Sequence, residues 1–431
     1  MAKISGEVQI PKEIVEEVEQ TVKNIPSLKK KIEESLDKKT TDLVEIILIG
    51  TIKIGASDIH IEPEEKEAKI RIRLDGVLQD VISIDNKIFK ALVSRMKLLA
   101  KLKLNVDDRP QDGRFSILFK ESSIEIRSSS LPAEYGESIV MRILDPKNLI
   151  DVKALGLRKD MVNTFNLQIG KPNGMILITG PTGSGKTTTL YAILKKLNNP
   201  KIKIITIEDP IEYHLDGVSQ TQVDHSKNYD FASGLRSMMR QDPDVILVGE
   251  IRDLETAQIA LQAALTGHLV LSTLHTNDAA GTIARLQALG EKAVNISPAI
   301  NMAVGQRLVR KVCDKCKTME EATESDLIKI KEVLKGLPEK VSFPEIKKGL
   351  KIPKVKGCSL CNDSGYKGRI GIFEFFLVDD EMEKFILTSP SIVATRELAV
   401  KKGMVLFKQD AFIKILEGET TIEEVERITG T

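Results

Sequence analysis

Met175-Ile-Leu-Ile-Thr-Gly-Pro-Thr-Gly-Ser-Gly-Lys-Thr187 is the stretch around which this chain is organised. Met175 to Thr179 are apolar with β-branched members, and Gly180-Pro181 ends the run, the pattern of a short strand buried in a parallel sheet. A helix carrying Thr188, Leu190, Ala192 and Leu194 is expected after it. Gly180, Gly185, Lys186 and Thr187 satisfy G-x-x-x-x-G-K-[ST], and a strand before with a helix after is the context this phosphate-binding loop requires. Its glycines let the backbone N–H groups of Gly183, Ser184 and Gly185 wrap an oxyanion at the positive end of a helix dipole. Lys186 is expected at the β- and γ-phosphates of ATP and the Thr187 hydroxyl on Mg²⁺. The nucleotide contacts therefore run through Gly180, Pro181, Thr182, Gly183, Ser184, Gly185, Lys186, Thr187 and Thr188.

Downstream, the pattern of an open α/β sheet continues. Ile202 to Ile207 reads as the next strand, with Glu208-Asp209-Pro210-Ile211-Glu212 at its carboxyl end. Sites in such sheets lie outside the carboxyl ends of the strands, so Glu208, Asp209 and Glu212 are expected near the phosphates, holding Mg²⁺ or its waters. Asp244-Val-Ile-Leu-Val-Gly-Glu250 is an apolar strand ending in an acid, with Gly249 where a P-loop enzyme ordinarily has aspartate. That leaves Glu250 to polarise the attacking water. Helix 254–265 leads to a further strand that ends at His275-Thr276-Asn277, where His275 can sense the γ-phosphate through a hydrogen bond.

The remaining composition bounds the class. At 431 residues, 42% hydrophobic and 29% charged, the chain has the make-up of a multi-domain globular protein. A net charge of +1 offers nucleic acid no broad electrostatic attraction. Met1 to Gln20 lacks a basic start with an apolar core, so no export signal is expected. The uncharged stretch near Thr256 to Asn277 reads as buried helix, turn and strand instead of a membrane span.

Residues 1–40 form an expected helical arm of two short helices parted at Pro26. Residues 41–150 read as an α+β domain, with strands near 59–62, 69–74, 115–119, 123–127 and 139–143, a turn at Asp75-Gly76 and a basic helix from Ala91 to Lys103. Arg71, Arg73, Arg95, Arg109, Arg114, Arg127 and Arg142 recur there and could meet an anion held by another domain or subunit. A nucleotide-binding domain is expected over 151–431. Within it, insertion 310–368 holds Cys313-x-x-Cys316 and Cys358-x-x-Cys361, whose four thiolates suit one tetrahedral Zn²⁺ in a structural site. Beyond Gly371 the chain reads as helical, with C-terminal helices over 376–431 and no recognisable chemistry.

These residues together resemble the secretion-type hexameric ATPases that drive type IV pili, type II secretion and DNA-uptake pseudopili. Arg240-Gln-Asp-Pro-Asp-Val-Ile-Leu-Val-Gly-Glu-Ile-Arg-Asp253 resembles the family signature, Thr206 to Glu212 its Asp box, and Thr266 to Asp278 its His box. Arg109-Pro-Gln-Asp-Gly-Arg114 is similar to the arginine-bearing segment of the family's second N-terminal domain. The resemblance implies a RecA-like P-loop core after a PAS-like α+β domain, with Glu250 as catalytic base. It also implies a homo-hexamer in which arginines such as Arg114 and Arg127 reach ATP within the ring. The implied place of action is cytoplasmic, peripheral at the inner face of the cell membrane, against a polytopic platform protein and with no direct nucleic acid. The cysteine pairs resemble the zinc-bearing insertion of assembly motors, which favours extension over retraction. Where the family has a large first N-terminal domain, the helical residues of 1–40 are expected instead. A nucleic-acid translocating or conjugation-type ATPase of similar core is the alternative.

Overall fold

The computed structural model describes residues 7–119 and 122–430; the first six residues of the arm, Lys120, Glu121 and Thr431 lie outside them. The chain divides into two compact units. One holds the chain up to Asn148 with Cys313–Lys317 and Val355–Lys367; the other holds Leu149–Val312, Thr318–Lys354 and the chain from Gly368 onward.

In the first unit, β1 (Glu7–Gln9), α1 (Lys12–Thr21), α2 (Ile25–Glu33) and α3 (Thr40–Ile54) precede β2 (Asp58–Pro63), β3 (Glu67–Leu74) and β4 (Val77–Asp85). Then follow α4 (Asn86–Leu99), β5 (Gln111–Phe119), β6 (Ser122–Ala133) and β7 (Gly136–Leu144). Pro26 falls in the first turn of α2, where its missing N–H costs nothing, and Asn24 and Ser27 cap that helix reciprocally. The sheet runs β1-β5-β6-β7-β2-β3-β4. Alternation decides its faces: Ala68, Ile70 and Ile72 of β3 are buried while Lys69, Arg71 and Arg73 point away. Helix α3 is apolar on nearly every side and every residue from Leu43 to Ile49 is buried, which makes it the spine of this core. Two strands go beyond the sequence reading. β4 completes a hairpin with β3 after the Asp75-Gly76 turn, its register shifting between Ile70 and Arg71, and this irregularity hides its period. β1 is three residues long and exists through parallel pairing with β5.

The second unit begins with α5 (Lys159–Ile169), β8 (Gly174–Thr179), α6 (Lys186–Leu197), β9 (Ile204–Glu208) and β10 (Ser219–Gln222). It continues through α7 (Phe231–Met239), β11 (Val245–Val248), α8 (Leu254–Leu265), β12 (Leu269–Leu274), α9 (Gly281–Ala288) and α10 (Ala293–Ile296). After β13 (Ile300–Val312), β14 (Lys317–Glu321), α11 (Glu324–Val333), β15 (Lys351–Val355) and β16 (Tyr366–Leu377) come four helices, α12 (Asp380–Ile386), α13 (Ile392–Lys401), α14 (Phe407–Leu416) and α15 (Ile422–Thr429). The main sheet runs β10-β9-β11-β12-β8-β13-β16, and β9, β11, β12, β8 and β13 pair in parallel. Every residue of β8, β9, β11 and β12 is buried, as a parallel sheet covered on both faces demands. One expectation fails. The chain beyond Gly371 stays extended to Leu377, because the β-branched and aromatic run of Ile372, Phe373, Phe375 and Phe376 adds a strand beside β13 and buries all four side chains. Among the described residues no helix is long and apolar enough to cross a membrane.

Candidate active site

Parallel pairing of β8, β9, β11 and β12 brings their carboxyl ends to one edge of the sheet, where the chain turns out into Gly180, Asp209, Gly249 and His275. The loop after β8 turns on glycines of positive φ, +79° at Gly183 and +87° at Gly185. A Cβ at Gly185 would stand 2.8 Å from Gln306 Nε2, so a side chain there would crowd the start of α6. Lys186 Nζ donates to the carbonyls of Gly180 (2.8 Å) and Pro181 (3.2 Å), and burial lowers its pKa, with Glu250 opposing that shift. Ser184 Oγ is buried and, among the described residues, meets no hydrogen-bond partner. An unpaired hydroxyl in a glycine-turned loop beside the Lys186 ammonium, at the start of α6, suits a polyoxyanion, so these residues fit a nucleoside triphosphate. Pro181, Thr182 and Thr187 are exposed along the same loop, and Thr188 is half-buried.

Glu250 follows β11 and is 14% exposed. His275 Nε2 lies 3.4 Å from its carboxylate and Arg252 forms an ion pair with it, so the acid meets an imidazole and a guanidinium cation at the sheet edge. The loop carrying His275 is stitched to the nucleotide strand. Thr276 N donates to Thr179 Oγ1 at 3.1 Å, and Thr179 Oγ1 donates to Leu274 O at 3.1 Å. Asp253, next to Arg252, spends its carboxylate capping α8 through Thr256 N at 2.8 Å.

The Asp box divides in two. Glu208 is buried, its oxygens taken by the hydroxyls of Tyr191 and Thr206 and by Gln220 Nε2 at 3.3 Å. Asp209, whose bond to Pro210 is cis, is exposed and lies close enough to raise the pKa of Arg252. Glu212 is half-buried, and its N–H faces Tyr191 Oη at 3.3 Å. Tyr191, on α6, thus joins the helix after the phosphate loop to the Asp box. Arg252 and Tyr191 escape the sequence reading: Arg252 lies within the Arg240 to Asp253 signature, whereas Tyr191 carries no motif and shows only as a tyrosine on a buried helix face.

In the first unit, strand register sets Arg114 opposite Arg127, Arg127 opposite Arg142, Arg142 opposite Asp58, and Asp58 opposite Arg73. Directly opposed residues share a face, so four arginines and one aspartate make a row across five strands. Arg114 and Arg142 are 51% and 58% exposed; within the row Asp58 lies in ion-pair distance of Arg73 and Arg142, and Glu125 beside it of Arg114 and Arg127. Arg109 pairs only loosely with Asp108, at 3.9 Å, in the exposed loop before β5.

The four cysteines also meet in this unit. Cys313 Sγ lies 3.9 Å from Cys358 Sγ, Cys316 Sγ 3.8 Å from Cys361 Sγ, and Cys358 Sγ 3.7 Å from Cys361 Sγ, with none in a disulfide. Sulfurs bonded tetrahedrally to zinc at about 2.3 Å stand about 3.8 Å apart, so the donor set and spacing fit that ion. Cys361 Sγ further accepts from the N–H groups of Cys358 and Gly365, at 3.2 and 3.3 Å, the outer contacts that stabilise a thiolate ligand.

The family model for type II/IV secretion system proteins matches residues 33–427. The type II secretion system ATPase E of Vibrio cholerae is 44% identical over 407 residues, covering 94% of this chain and 78% of that protein. The type IV pilus assembly ATPase PilB of Myxococcus xanthus is 39% identical over 424 residues, covering 98% and 72%. Among solved structures, the pilus retraction motor PilT with bound ADP is 25% identical at a TM-score of 0.59, covering 90% of this chain and 97% of that one. The ATPase DotB of Legionella pneumophila, 22% identical at a TM-score of 0.65 and covering 91% and 96%, shares the fold. With the phosphate-loop sequence of Gly180 to Thr187 after β8 and a match over residues 33–427, the chain is an ATPase and belongs to the type II/IV secretion system protein family.

Proposed function

We propose that the chain is one subunit of a homo-hexameric ATPase ring that powers assembly of a type IV pilus or a type II secretion pseudopilus. It works in the cytoplasm, peripheral to the inner face of the cell membrane, against a polytopic platform protein. The observation that carries this reading is the convergence of Lys186, Glu250 and His275 on one sheet edge, in a chain so similar to secretion and pilus-assembly ATPases. The four-cysteine cluster, which the family resemblance associates with assembly motors, supports extension over retraction.

ATP enters with its phosphates in the N–H cradle of Gly183, Ser184 and Gly185. Lys186 leaves the carbonyls of Gly180 and Pro181 for the β- and γ-phosphates. Thr187 would hold Mg²⁺, with Asp209 and Glu212 on its waters; the ion, when bound, neutralises charge between the β- and γ-oxygens. Glu208 acts from inside the fold, positioning the Asp box through Tyr191. Glu250 accepts the proton of the attacking water as its oxygen bonds to the γ-phosphorus and the bridge to ADP breaks. His275 Nε2 reports on the γ-phosphoryl group. Arg114 and Arg127, from the arginine row, supply cations to the transition state in a neighbouring subunit's site. Asp58 and Glu125 offset two of the row's four positive charges, and the remainder is suited to meeting an anion. Zn²⁺ would be held by Cys313, Cys316, Cys358 and Cys361 in a closed structural site. A nucleic-acid translocating ATPase is the other reading of this core, and a net charge of +1 gives it no support.

Two substitutions test the site. Lys186→Ala should weaken ATP binding and turnover together. Glu250→Gln should bind ATP and fail to hydrolyse it, with turnover down ~10²-fold or more. Wild-type turnover by Glu250→Gln would remove Glu250 from the role of base.

A further inference from the structure

The loop that follows His275 is anchored to the C-terminal part of the ATPase unit by residues that belong to no motif. Glu374, in β16, is 4% exposed. Its Oε2 accepts from Ala279 N at 3.3 Å, and its Oε1 accepts from Phe407 N, the first residue of α14, at 3.0 Å. One buried carboxylate therefore bridges the His275 loop and a helix start. Asp278 of the same loop pairs with Arg396 of α13. Arg307 donates to Asn277 O at 3.3 Å and to Ile428 O at 2.8 Å, and its guanidinium lies 5.1 Å over the Phe407 ring. The packing is close: a Cβ on Gly305 would come within 2.8 Å of the Phe407 ring and 3.3 Å of Glu374 Oε2. Asn277, Asp278 and Ala279 are thus held by three different elements, β13, α13 and β16 in turn, directly after the histidine at the γ-phosphate edge.

We propose that Glu374, with Arg396 beside it, is a positioning residue for ATP hydrolysis that holds the His275 loop in register with helices α13 and α14. Hydrolysis at the sheet edge then moves those helices through a rigid connection, and strain on the helices acts back on His275. A carboxylate suits the task because two backbone N–H donors from separate segments need two acceptor oxygens with a fixed separation. This inference rests on the reading that Glu250 and His275 serve the γ-phosphate.

The test uses the full chain with Glu374→Gln, which keeps shape but presents an amide nitrogen to one of the two N–H donors, and with Arg396→Gln as second variant. ATPase kinetics are measured beside thermal unfolding and amide hydrogen exchange at residues 276–280 and 407–410. We expect kcat to fall ~10-fold or more while KM for ATP stays within ~2-fold, because the histidine is displaced and the phosphate cradle is not. Exchange should quicken in both segments, and ATP should no longer slow it at 407–410. Wild-type kcat in either folded variant overturns the proposal, as does a fall in kcat matched by a parallel rise in KM. If Glu374→Gln does not fold, Arg396→Gln decides. Glu250→Gln, assayed alongside, separates the two readings: active Glu250→Gln defeats the site assignment, whereas inactive Glu250→Gln beside wild-type Glu374→Gln defeats only this inference.

Discussion

Glu374 holds a carboxyl group where ionisation is disfavoured. Burial pushes its pKa up from the ordinary 4.5 to about 7, assisted by Asp278 and opposed by the Phe407 and Ala279 N–H groups and by Arg396. A raised carboxyl pKa means that the folded state binds the proton more tightly than the unfolded one. The stabilisation is then complete below the ordinary value and is lost as pH rises through about 7. We expect the wild-type protein to lose this contribution between about pH 4.5 and about pH 7 in chemical denaturation, and Glu374→Gln to lose less over that window. An equal slope in the two proteins would place the titrating group elsewhere. The same residue shows why side-chain chemistry is only partly legible from a chain. Glu250 is readable because it ends an apolar strand. Glu374 stands in Gly371-Ile-Phe-Glu-Phe-Phe-Leu377, a stretch where nothing local marks a partner 95 residues away at Ala279.

At the scale of elements, the cysteine knuckle and α2 stand or fall together. Asn24, which caps α2, donates through Nδ2 to Ser359 O at 3.1 Å, and Ile25 N in its first turn donates to Asn362 Oδ1 at 2.6 Å. Ser359 and Asn362 flank Cys361, so the metal that would fix the knuckle also fixes these two acceptors. Purified protein should carry one zinc per chain by elemental analysis. Chelation, or Cys358→Ser with Cys361→Ser, should raise amide exchange at Ile25 and through α2 while β8 and β11 keep their protection. Unchanged exchange at Ile25 after complete zinc removal would detach the knuckle from the arm. The pairing of the cysteines is legible in the sequence because C-x-x-C spacing is local. The arm's attachment is not, since it joins Asn24 to Ser359, 335 positions apart.

For the whole molecule, the arginine row and the phosphate loop belong to different compact units. A P-loop core binds triphosphate alone, but charge on the γ-phosphoryl oxygens in the transition state calls for further cations, and an arginine supplied in trans contributes ~10³ or more in rate. The proposed head-to-tail ring would supply one to every site. Arg114→Ala chains mixed with Glu250→Gln chains, each inactive alone, should regain ATPase activity, because some sites then combine an intact Glu250 with an intact neighbouring Arg114. Verified co-assembly without recovery would reject the trans arrangement.

Local spacing alone specifies the strand, loop and helix around Lys186, the apolar strand before Glu250, the cysteine pairs, and helix 254–265, which the structure places at Leu254–Leu265. Each is a matter of spacing within a few residues, where backbone geometry and side-chain period act directly. Tertiary structure decided that Glu208 turns inward to Tyr191, that β16 extends the main sheet, and that arginines from separate strands stand in one row. It also decided that the His275 loop is held by Glu374, Arg396 and Arg307. Those outcomes depend on which distant segment lies alongside, and burial and strand register settle that only once the chain has folded.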